Sequence, residues 1–336
     1  SSMAKSKESF KDQFLQQRMN ALRLSWSSRS LIIIFTVLTC LFGVMTIPMI
    51  VASSTAFEQT VLYDGYTLQD SACHISENNE GKECDISFTI DRDVSKPIHV
   101  YYYLDNFYQN HREYINSVNY KQLNGEVLKG SDLEAKCGSK TYADKNKTRV
   151  LVPCGYVANS FFNDVITVTT PGVTLNEHDI SYKNDRKRFK NPEGYGTESS
   201  EYQYIYETYP QIPKDKSDDV TRSNYYGGGV MDEHFIVWMR LAGVPRFRKL
   251  YGRLEGKEFK KGDTVQFHIQ SNFEVSSFKG KKGIVLATEN FIGGKNTGMC
   301  VAFGVATLLS LAMVIAILVV KKVCPEALPV NGGKFD

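Results

Sequence analysis

The chain has 336 residues, with 40 Lys and Arg against 37 Asp and Glu, which gives a formal net charge of +3. Its apolar residues are unevenly spread: residues 31–52 and 299–320 contain no Asp, Glu, Lys, Arg or His. A helix of that length spans roughly 33 Å, close to the hydrocarbon core of a bilayer at about 30 Å. We therefore expect two transmembrane helices, which excludes an ordinary cytosolic enzyme.

The first apolar run is predicted to be a retained span, since it starts far from the N-terminus and is longer than the apolar region of a signal peptide. Basic residues cluster in residues 1–30, and Lys321 and Lys322 follow the second run. The positive-inside tendency then places both tails, 1–30 and 321–336, in the cytosol. Residues 53–298 become an exoplasmic or lumenal domain, and its near-neutral charge argues against nucleic-acid binding.

Four of the seven cysteines, Cys73, Cys84, Cys137 and Cys154, lie in this central domain, on the side of the membrane where disulfides are stable. Four cysteines allow three pairings, and the short connections favour Cys73 with Cys84 and Cys137 with Cys154. Metal ligation is the alternative, although no Cys-x-x-Cys spacing occurs. The chain has one N-x-S/T sequon, at Asn146, in a polar stretch typical of a surface loop.

The N-terminal tail carries one side of a helical pattern just before the first span. We interpret it either as an amphipathic helix on the lipid surface or as a docking segment for a partner. Its residues are Phe10, Phe14, Arg18, Met19 and Leu22.

The central domain is predicted to be mainly β-structure, because apolar and polar residues alternate over short stretches separated by Gly, Asn, Asp and Lys. Seven strands, around residues 84–91, 98–104, 148–152, 165–170, 235–241, 265–269 and 283–288, indicate an antiparallel, sandwich-like fold. Residues 183–229 are polar and contain Pro192, Pro210 and Pro213, so we expect a long excursion packed on the core.

The second span has small residues at every fourth position, which places them on one helical face. These are Gly298, Ala302, Ala306 and Ser310. Such a face lets another transmembrane helix approach closely, and either a partner's helix or the first span could occupy it. Neither span contains a charge, which weighs against an ion path or proton relay through them.

No phosphate-binding loop, H-E-x-x-H zinc motif or G-x-S-x-G nucleophile turn occurs in the sequence. The triplet Asp232-Glu233-His234 is the most suggestive polar cluster, but consecutive side chains cannot share one face of a strand or helix. A basic run could bind lipid phosphates or carboxylates or could form internal ion pairs. It consists of Arg240, Arg246, Arg248, Lys249 and Arg253.

Several segments resemble the cell-division-control-protein-50 family, also called the ligand-effect-modulator family. They are residues 107–112 (FYQNHR), 153–155 (PCG), 158–160 (ANS), 162–164 (FND), 232–240 (DEHFIVWMR) and 246–251 (RFRKLY). The resemblance extends from residue 14 in the tail to residues 293–296 (GGKN) before the second span.

The resemblance implies a disulfide-linked glycoprotein that is the beta subunit of a lipid flippase and forms a heterodimer with a type IV P-type ATPase. That ATPase moves phospholipid from the exoplasmic to the cytosolic leaflet. The beta subunit supports its folding, export from the endoplasmic reticulum and activity there or in the Golgi, endosomes or plasma membrane. No catalytic residue, cofactor or metal is expected in this chain. A two-span ligand-gated channel subunit and an ectoenzyme or adhesion receptor are the alternatives.

Overall fold

The computed structural model describes residues 27–95, 97–290 and 293–324. The amphipathic segment predicted in the N-terminal tail lies outside these residues. The chain divides into two compact units, one formed by its two ends (1–53 and 296–336) and one formed by residues 54–295. We call them the membrane unit and the β-rich domain.

The membrane unit contains two long apolar helices, α1 (Ser28–Thr55) and α8 (Thr297–Val323). Both are long and apolar enough to cross a bilayer. The side chain of Asn296 caps α8 by accepting a hydrogen bond from the Met299 amide at 3.0 Å, and Lys321 and Lys322 lie in its last turn. A capped N-terminus and a basic C-terminus both favour this helix.

The β-rich domain contains ten strands in the described residues. They are β1 (Glu58–Gly65), β2 (Lys82–Thr89), β3 (Ile98–Asp105), β4 (Val150–Val152), β5 (Val165–Val168), β6 (Thr174–Asn176), β7 (Tyr202–Tyr204), β8 (Phe247–Glu255), β9 (Thr264–Ser271) and β10 (Lys281–Thr288). Antiparallel pairing builds a five-stranded sheet in the order β1-β10-β3-β8-β6 and a three-stranded sheet in the order β2-β9-β5. The strands β4 and β7 form a separate parallel pair.

Short helices occupy the connections of this domain. They are α2 (Arg112–Asn116), α3 (Tyr120–Leu123), α4 (Gly130–Cys137), α5 (Lys183–Arg186), α6 (Ile205–Thr208) and α7 (Glu233–Met239), with 3₁₀ turns at Gly138–Lys140, Ala158–Ser160 and Gly229–Met231.

The two antiparallel sheets bury their apolar faces in one core. In β3 every second residue is buried, with Val100 and Leu104 fully so, and these side chains share a cluster with Phe88 and Phe267 of the other sheet. Phe88 and Phe267 meet edge to face with ring centroids 5.7 Å apart. Because apolar and polar side chains alternate along each strand, each sheet turns one apolar face towards the core, as the sequence pattern predicts.

A second, smaller core lies around α4 and β4, apart from the main core. It consists of Leu133, Cys137, Val150, Leu151 and Cys154. The disulfide between Cys137 and Cys154 joins the end of α4 to the residues after β4 within this core.

The backbone conformation at Gly155 explains why the PCG segment has a glycine at this position. Gly155 adopts a φ of +100°, and a Cβ at this position would collide with the Ser117 carbonyl oxygen. Only glycine combines that backbone conformation with such a close approach.

The predicted fold class is confirmed, since two long apolar helices flank an antiparallel β-rich domain. The strand predicted at residues 235–241 is wrong, because this segment is the helix α7. Its apolar, aromatic composition resembles that of a buried strand, but the Asp232 carboxylate caps the His234 and Phe235 amides and starts a helix. Sequence reasoning also missed β1, β6, β7 and β8.

Candidate functional site

The predicted stripe of small residues on α8 is only partly covered within the membrane unit. Ser310 is buried and Ala306 half-buried, whereas Gly298 and Ala302 are exposed. The contact between the helices runs instead through Phe42 with Phe303, whose centroids are 6.1 Å apart, and Thr46 with Thr307. Towards its N-terminal end the stripe therefore turns away from α1, and Gly298 and Ala302 are not covered by the described part of the chain.

Both helices also expose large apolar side chains along most of their length. Val44, Ile47, Leu308 and Leu309 are each more than 60 % exposed, far more than an ordinary soluble helix leaves uncovered. Two helices cannot shield each other on all sides, so lipid tails or further transmembrane helices must cover these residues.

The four cysteines of the β-rich domain form two disulfides in the structure. Cys73 is bonded to Cys84 in β2, and Cys137 is bonded to Cys154. The remaining cysteines, Cys40, Cys300 and Cys324, are free.

The sequon residue Asn146 is exposed in a tight loop between α4 and β4. The Asp144 carboxylate organises this loop by accepting hydrogen bonds from the Thr148 hydroxyl and amide and from the Arg149 amide. These contacts hold the pKa of the Asp144 carboxyl below its usual value.

The residues Asp232, Glu233 and His234 diverge, as their consecutive positions predict. Asp232 is the cap of α7, and its carboxylate also accepts a hydrogen bond from the Ser223 hydroxyl at 2.7 Å. Burial raises the pKa of this carboxyl despite those hydrogen bonds.

Glu233 points to a different set of partners. Its buried carboxylate accepts hydrogen bonds from the Asp179 and Ser181 amides at 2.9 Å, from the Ser181 hydroxyl and from the Arg186 guanidinium at 3.0 Å. His178 lies 3.3 Å away, and His178, Asp179 and Glu233 are close enough to hold a metal ion. However, three protein donors already bind Oε2 and one binds Oε1, and the Arg186 guanidinium supplies the counter-charge. The residues therefore fit a structural ion pair better.

His234 packs its ring against Tyr251 at a centroid distance of 4.2 Å, with the Glu177 carboxylate 3.5 Å from Nε2. Burial alone would lower the pKa of this imidazole. The neighbouring carboxylates have the opposite effect: Glu177 contributes hydrogen bonding and charge, and Asp232 and Glu233 contribute charge. Together they outweigh burial, so the pKa of His234 is raised.

Most of the predicted basic run is engaged inside the protein. Arg246 and Arg248 lie 3.3 Å and 2.8 Å from the carboxylates of Asp105 and Glu58, and the longer pair of Arg240 with Asp185 spans 3.6 Å. These three arginines therefore form internal ion pairs. Arg240 and Arg246 are exposed, which makes their pairs weak, whereas Arg248 is half-buried.

Lys249 behaves differently from its basic neighbours. It is only 8 % exposed and donates to the Trp238 carbonyl at the C-terminal end of α7, with no carboxylate at ion-pair distance among the described residues. Burial lowers the pKa of its amine well below the usual value. The hydrogen bond from the amine satisfies a carbonyl in the last turn of α7, so Lys249 serves as a cap for this helix.

Sequence reasoning missed a fully buried ionic cluster beneath the five-stranded sheet. The Lys282 ammonium lies 2.8 Å from Asp164 and 3.5 Å from Asp64, and it donates to the Ser271 hydroxyl and the Phe273 carbonyl. The only hint in the sequence was the motif residue Asp164, because Lys282 looks like an ordinary surface position of a strand.

Asp164 connects that cluster to the surrounding loops. It accepts hydrogen bonds from the Tyr63 hydroxyl and from the Asn272 and Phe273 amides. Burial, followed by the charge of Asp164, raises the pKa of the Tyr63 phenol well above its usual value. These contacts give the Asp164 carboxylate of the FND segment a structural role.

These features define a class: an integral membrane protein with two spans and a disulfide-linked β-rich domain whose buried polar groups bind one another. The family model of the LEM3 (ligand-effect modulator 3) family / CDC50 family matches residues 49–327. The chain belongs to this family.

Similar proteins come from plants, animals and fungi. The chain is 30 % identical over 321 residues to Cell cycle control protein 50A of Bos taurus, which covers 91 % of this chain and 87 % of the relative. It is 29 % identical over 325 residues to ALA-interacting subunit 3 of Arabidopsis thaliana, covering 91 % and 85 %. It is 27 % identical over 354 residues to Phospholipid-transporting ATPase accessory subunit CRF1 of Saccharomyces cerevisiae, covering 94 % and 86 %.

Proposed function

We propose that this chain is a non-catalytic accessory (beta) subunit of a phospholipid flippase. In this role it forms a heterodimer with a type IV P-type ATPase and supports its folding, its export from the endoplasmic reticulum and its activity. The observation that carries the proposal is the family match over residues 49–327, together with a relative, covered over 86 % of its length, that is named a phospholipid-transporting ATPase accessory subunit.

The membrane unit supplies the partner-facing surface in this proposal. The exposed part of the stripe on α8, Gly298 and Ala302, offers a close approach to a helix of the ATPase. Ala306 and Ser310 continue that face towards α1. Membrane lipids cover the remaining apolar surface of both helices.

The proposed topology places both termini in the cytosol and the β-rich domain on the exoplasmic or lumenal side. The basic residues beside both spans support this orientation. The two disulfides support it as well, since they persist in oxidising compartments. On that side Asn146 is glycosylated, and the protein resides in the endoplasmic reticulum, the Golgi, endosomes or the plasma membrane.

The first experiment is affinity purification of the full chain in a mild detergent, followed by mass spectrometry of the eluted complex. A type IV P-type ATPase in a ratio near one to one is the expected result. Elution of the chain alone, or as a homotrimer with agonist-dependent current, would contradict the proposal.

A matched pair of variants tests the helix face. Ala302→Leu adds bulk to the exposed part of the stripe, whereas Ala312→Leu adds the same bulk to an exposed alanine of α8 outside it. We expect the first variant to reduce the co-purified ATPase and the second to leave it near the wild-type level. Equal recovery with both variants would show that the ATPase binds elsewhere.

A further inference from the structure

A large cleft opens in the β-rich domain beside the sequon. Its volume is about 950 Å³. Its lining includes most of the loop that follows α4, within residues 138–147, together with Asn78, Asn79 and residues within 273–278. We call it the sequon cleft. Nothing in the proposed subunit function uses it.

The floor of the sequon cleft is aromatic. Phe107 and Phe278 are half-buried, with ring centroids 5.4 Å apart, and Phe161, Tyr209 and Phe273 continue the apolar surface. Phe107 also contacts the rings of Tyr114, Trp238 and Phe247. The parts of these rings that remain accessible in the cleft suit a ligand with flat apolar faces and polar edges. A pyranose ring has that character, because its C–H groups form the faces and its hydroxyls form the edges.

The rim of the cleft is polar without a dominant charge. The Asn78 and Asn79 side-chain oxygens accept hydrogen bonds from the Glu274 amide and the Asn163 side chain. Their amide nitrogens donate to no acceptor in the described chain, so they remain available to a ligand. Three carboxylates and three lysines balance one another along the lining: Glu134, Asp144 and Glu274 with Lys140, Lys145 and Lys147. A neutral ligand with many hydroxyls fits these groups better than an anion or a cation does.

The sequon loop stands at the edge of this cleft in a fixed conformation. Both neighbours of Asn146, Lys145 and Lys147, line the cleft, while Asn146 itself is exposed beside it and is not one of the lining residues. The Lys147 side chain folds back to form an ion pair of 2.7 Å with Glu134 and lies over the Tyr142 ring. The attachment point is thereby held at the rim while its side chain stays accessible.

We propose that the glycan on Asn146 folds back into the sequon cleft, with its first sugar rings over the Phe107 and Phe278 rings and against the Asn78 and Asn79 amides. This inference rests on the glycosylation of Asn146 proposed above. Covalent attachment at the rim makes the contact intramolecular, so modest stacking and hydrogen bonding suffice to hold the sugar. The seated glycan bridges the loop after α4 and the main core.

The test compares two glycans on one full-length protein produced in glycosylating cells. The substitution Glu126→Thr creates a second sequon at Asn124, an exposed residue that does not line the cleft. Native protein is treated with peptide N-glycosidase, and release at each site is followed by mass spectrometry. We expect the Asn146 glycan to be released about tenfold more slowly than the Asn124 glycan, with equal rates after denaturation.

A second variant tests whether slow release of the Asn146 glycan comes from its binding in the cleft or from crowding around the sequon. Ser277 is an exposed residue of the lining, and Ser277→Trp places a bulky ring in the cleft without changing the sequence of the sequon loop. In this variant the Asn146 glycan should be released as fast as the control glycan. Slow release that survives the substitution, or equal release rates in the parent protein, would overturn the proposal.

Hydrogen exchange provides a second measurement. The variant Asn146→Gln lacks the glycan, and we expect its amides in residues 275–279 to exchange several-fold faster than those of the glycosylated protein, with β3 unchanged. An identical exchange pattern, or a peptide mass showing that Asn146 carries no glycan, would refute the inference. Recovery of the ATPase is scored on the same samples, so failure here is distinguishable from failure of the subunit function.

Discussion

At the scale of single residues, the most demanding feature of the molecule is the buried charge of Lys282. Its ammonium and the carboxylates of Asp64 and Asp164 are all essentially inaccessible to water. Burying a charge is unfavourable unless partners of opposite charge and hydrogen bonds compensate it. Here the two carboxylates, the Ser271 hydroxyl and the Phe273 carbonyl provide that compensation.

Removal of the Lys282 charge should therefore be costly. We expect Lys282→Met to lower the free energy of unfolding by about 3–5 kcal/mol, because two buried carboxylates lose their counter-ion. Chemical denaturation in detergent measures the effect. The neighbouring Lys281→Met is the control, since Lys281 is half-buried with no carboxylate partner among the described residues. Similar losses in both variants would contradict the assigned role of the cluster.

The raised pKa of His234 predicts that the stability of the folded protein depends on pH. Its pKa is raised in the folded protein, so its contribution is complete below the unfolded value of about 6.5 and is lost as the pH rises through the folded pKa. Glu177→Gln removes a major cause of the shift. Thermal unfolding of both proteins between mildly acidic and mildly alkaline pH should show a wild-type advantage that shrinks as the pH rises. A constant difference would exclude this linkage.

At the scale of elements, the helix α7 shows how one side chain decides between two structures. The segment FIVWM has the composition of a strand, yet the Asp232 carboxylate satisfies two free amides at the start of a helix. Lys249 then caps the opposite end through the Trp238 carbonyl. Glu233 and His234 leave the same helix in different directions and join separate clusters.

Two substitutions of Asp232 test its role as the N-terminal cap of α7. Asp232→Ala should lower the free energy of unfolding by about 0.5–2 kcal/mol, because the His234 and Phe235 amides and the Ser223 hydroxyl lose their acceptor. Asp232→Asn keeps an acceptor oxygen and should lose less. Circular dichroism during denaturation compares the two, and an equal loss would mean that the negative charge matters more than the cap.

At the scale of the whole molecule, the β-rich domain depends on a covalent link for its smaller core. Only a few apolar side chains surround Cys137 and Cys154, far fewer than in the main core. A core this small gains little from burial alone, so the disulfide carries much of the stability of the α4–β4 region.

Loss of this disulfide should prevent normal maturation. We expect Cys137→Ser or Cys154→Ser to reduce stability by about 2–5 kcal/mol and to retain the protein in the endoplasmic reticulum. Cell-surface or Golgi fractions quantify export. Cys324→Ser removes a free thiol and should leave export unchanged. If both cysteine variants were exported normally, the link would be dispensable.

The sequence by itself determined the spans and the fold class. An uncharged run long enough to cross a bilayer, and apolar side chains that alternate with period two, are local signals that survive without tertiary information. The motif residues also revealed the family, because each segment is readable without knowing its partners.

Only the tertiary structure decided which distant residues meet. Lys282 reads as a surface position of β10, and it becomes the centre of a buried cluster because Asp64 and Asp164 arrive from other parts of the chain. Likewise, the drift of the small-residue stripe past α1 follows from how two helices pack, and the cleft beside Asn146 requires walls from residues far apart in sequence. Long-range contacts set these features, and no periodicity within a single segment encodes them.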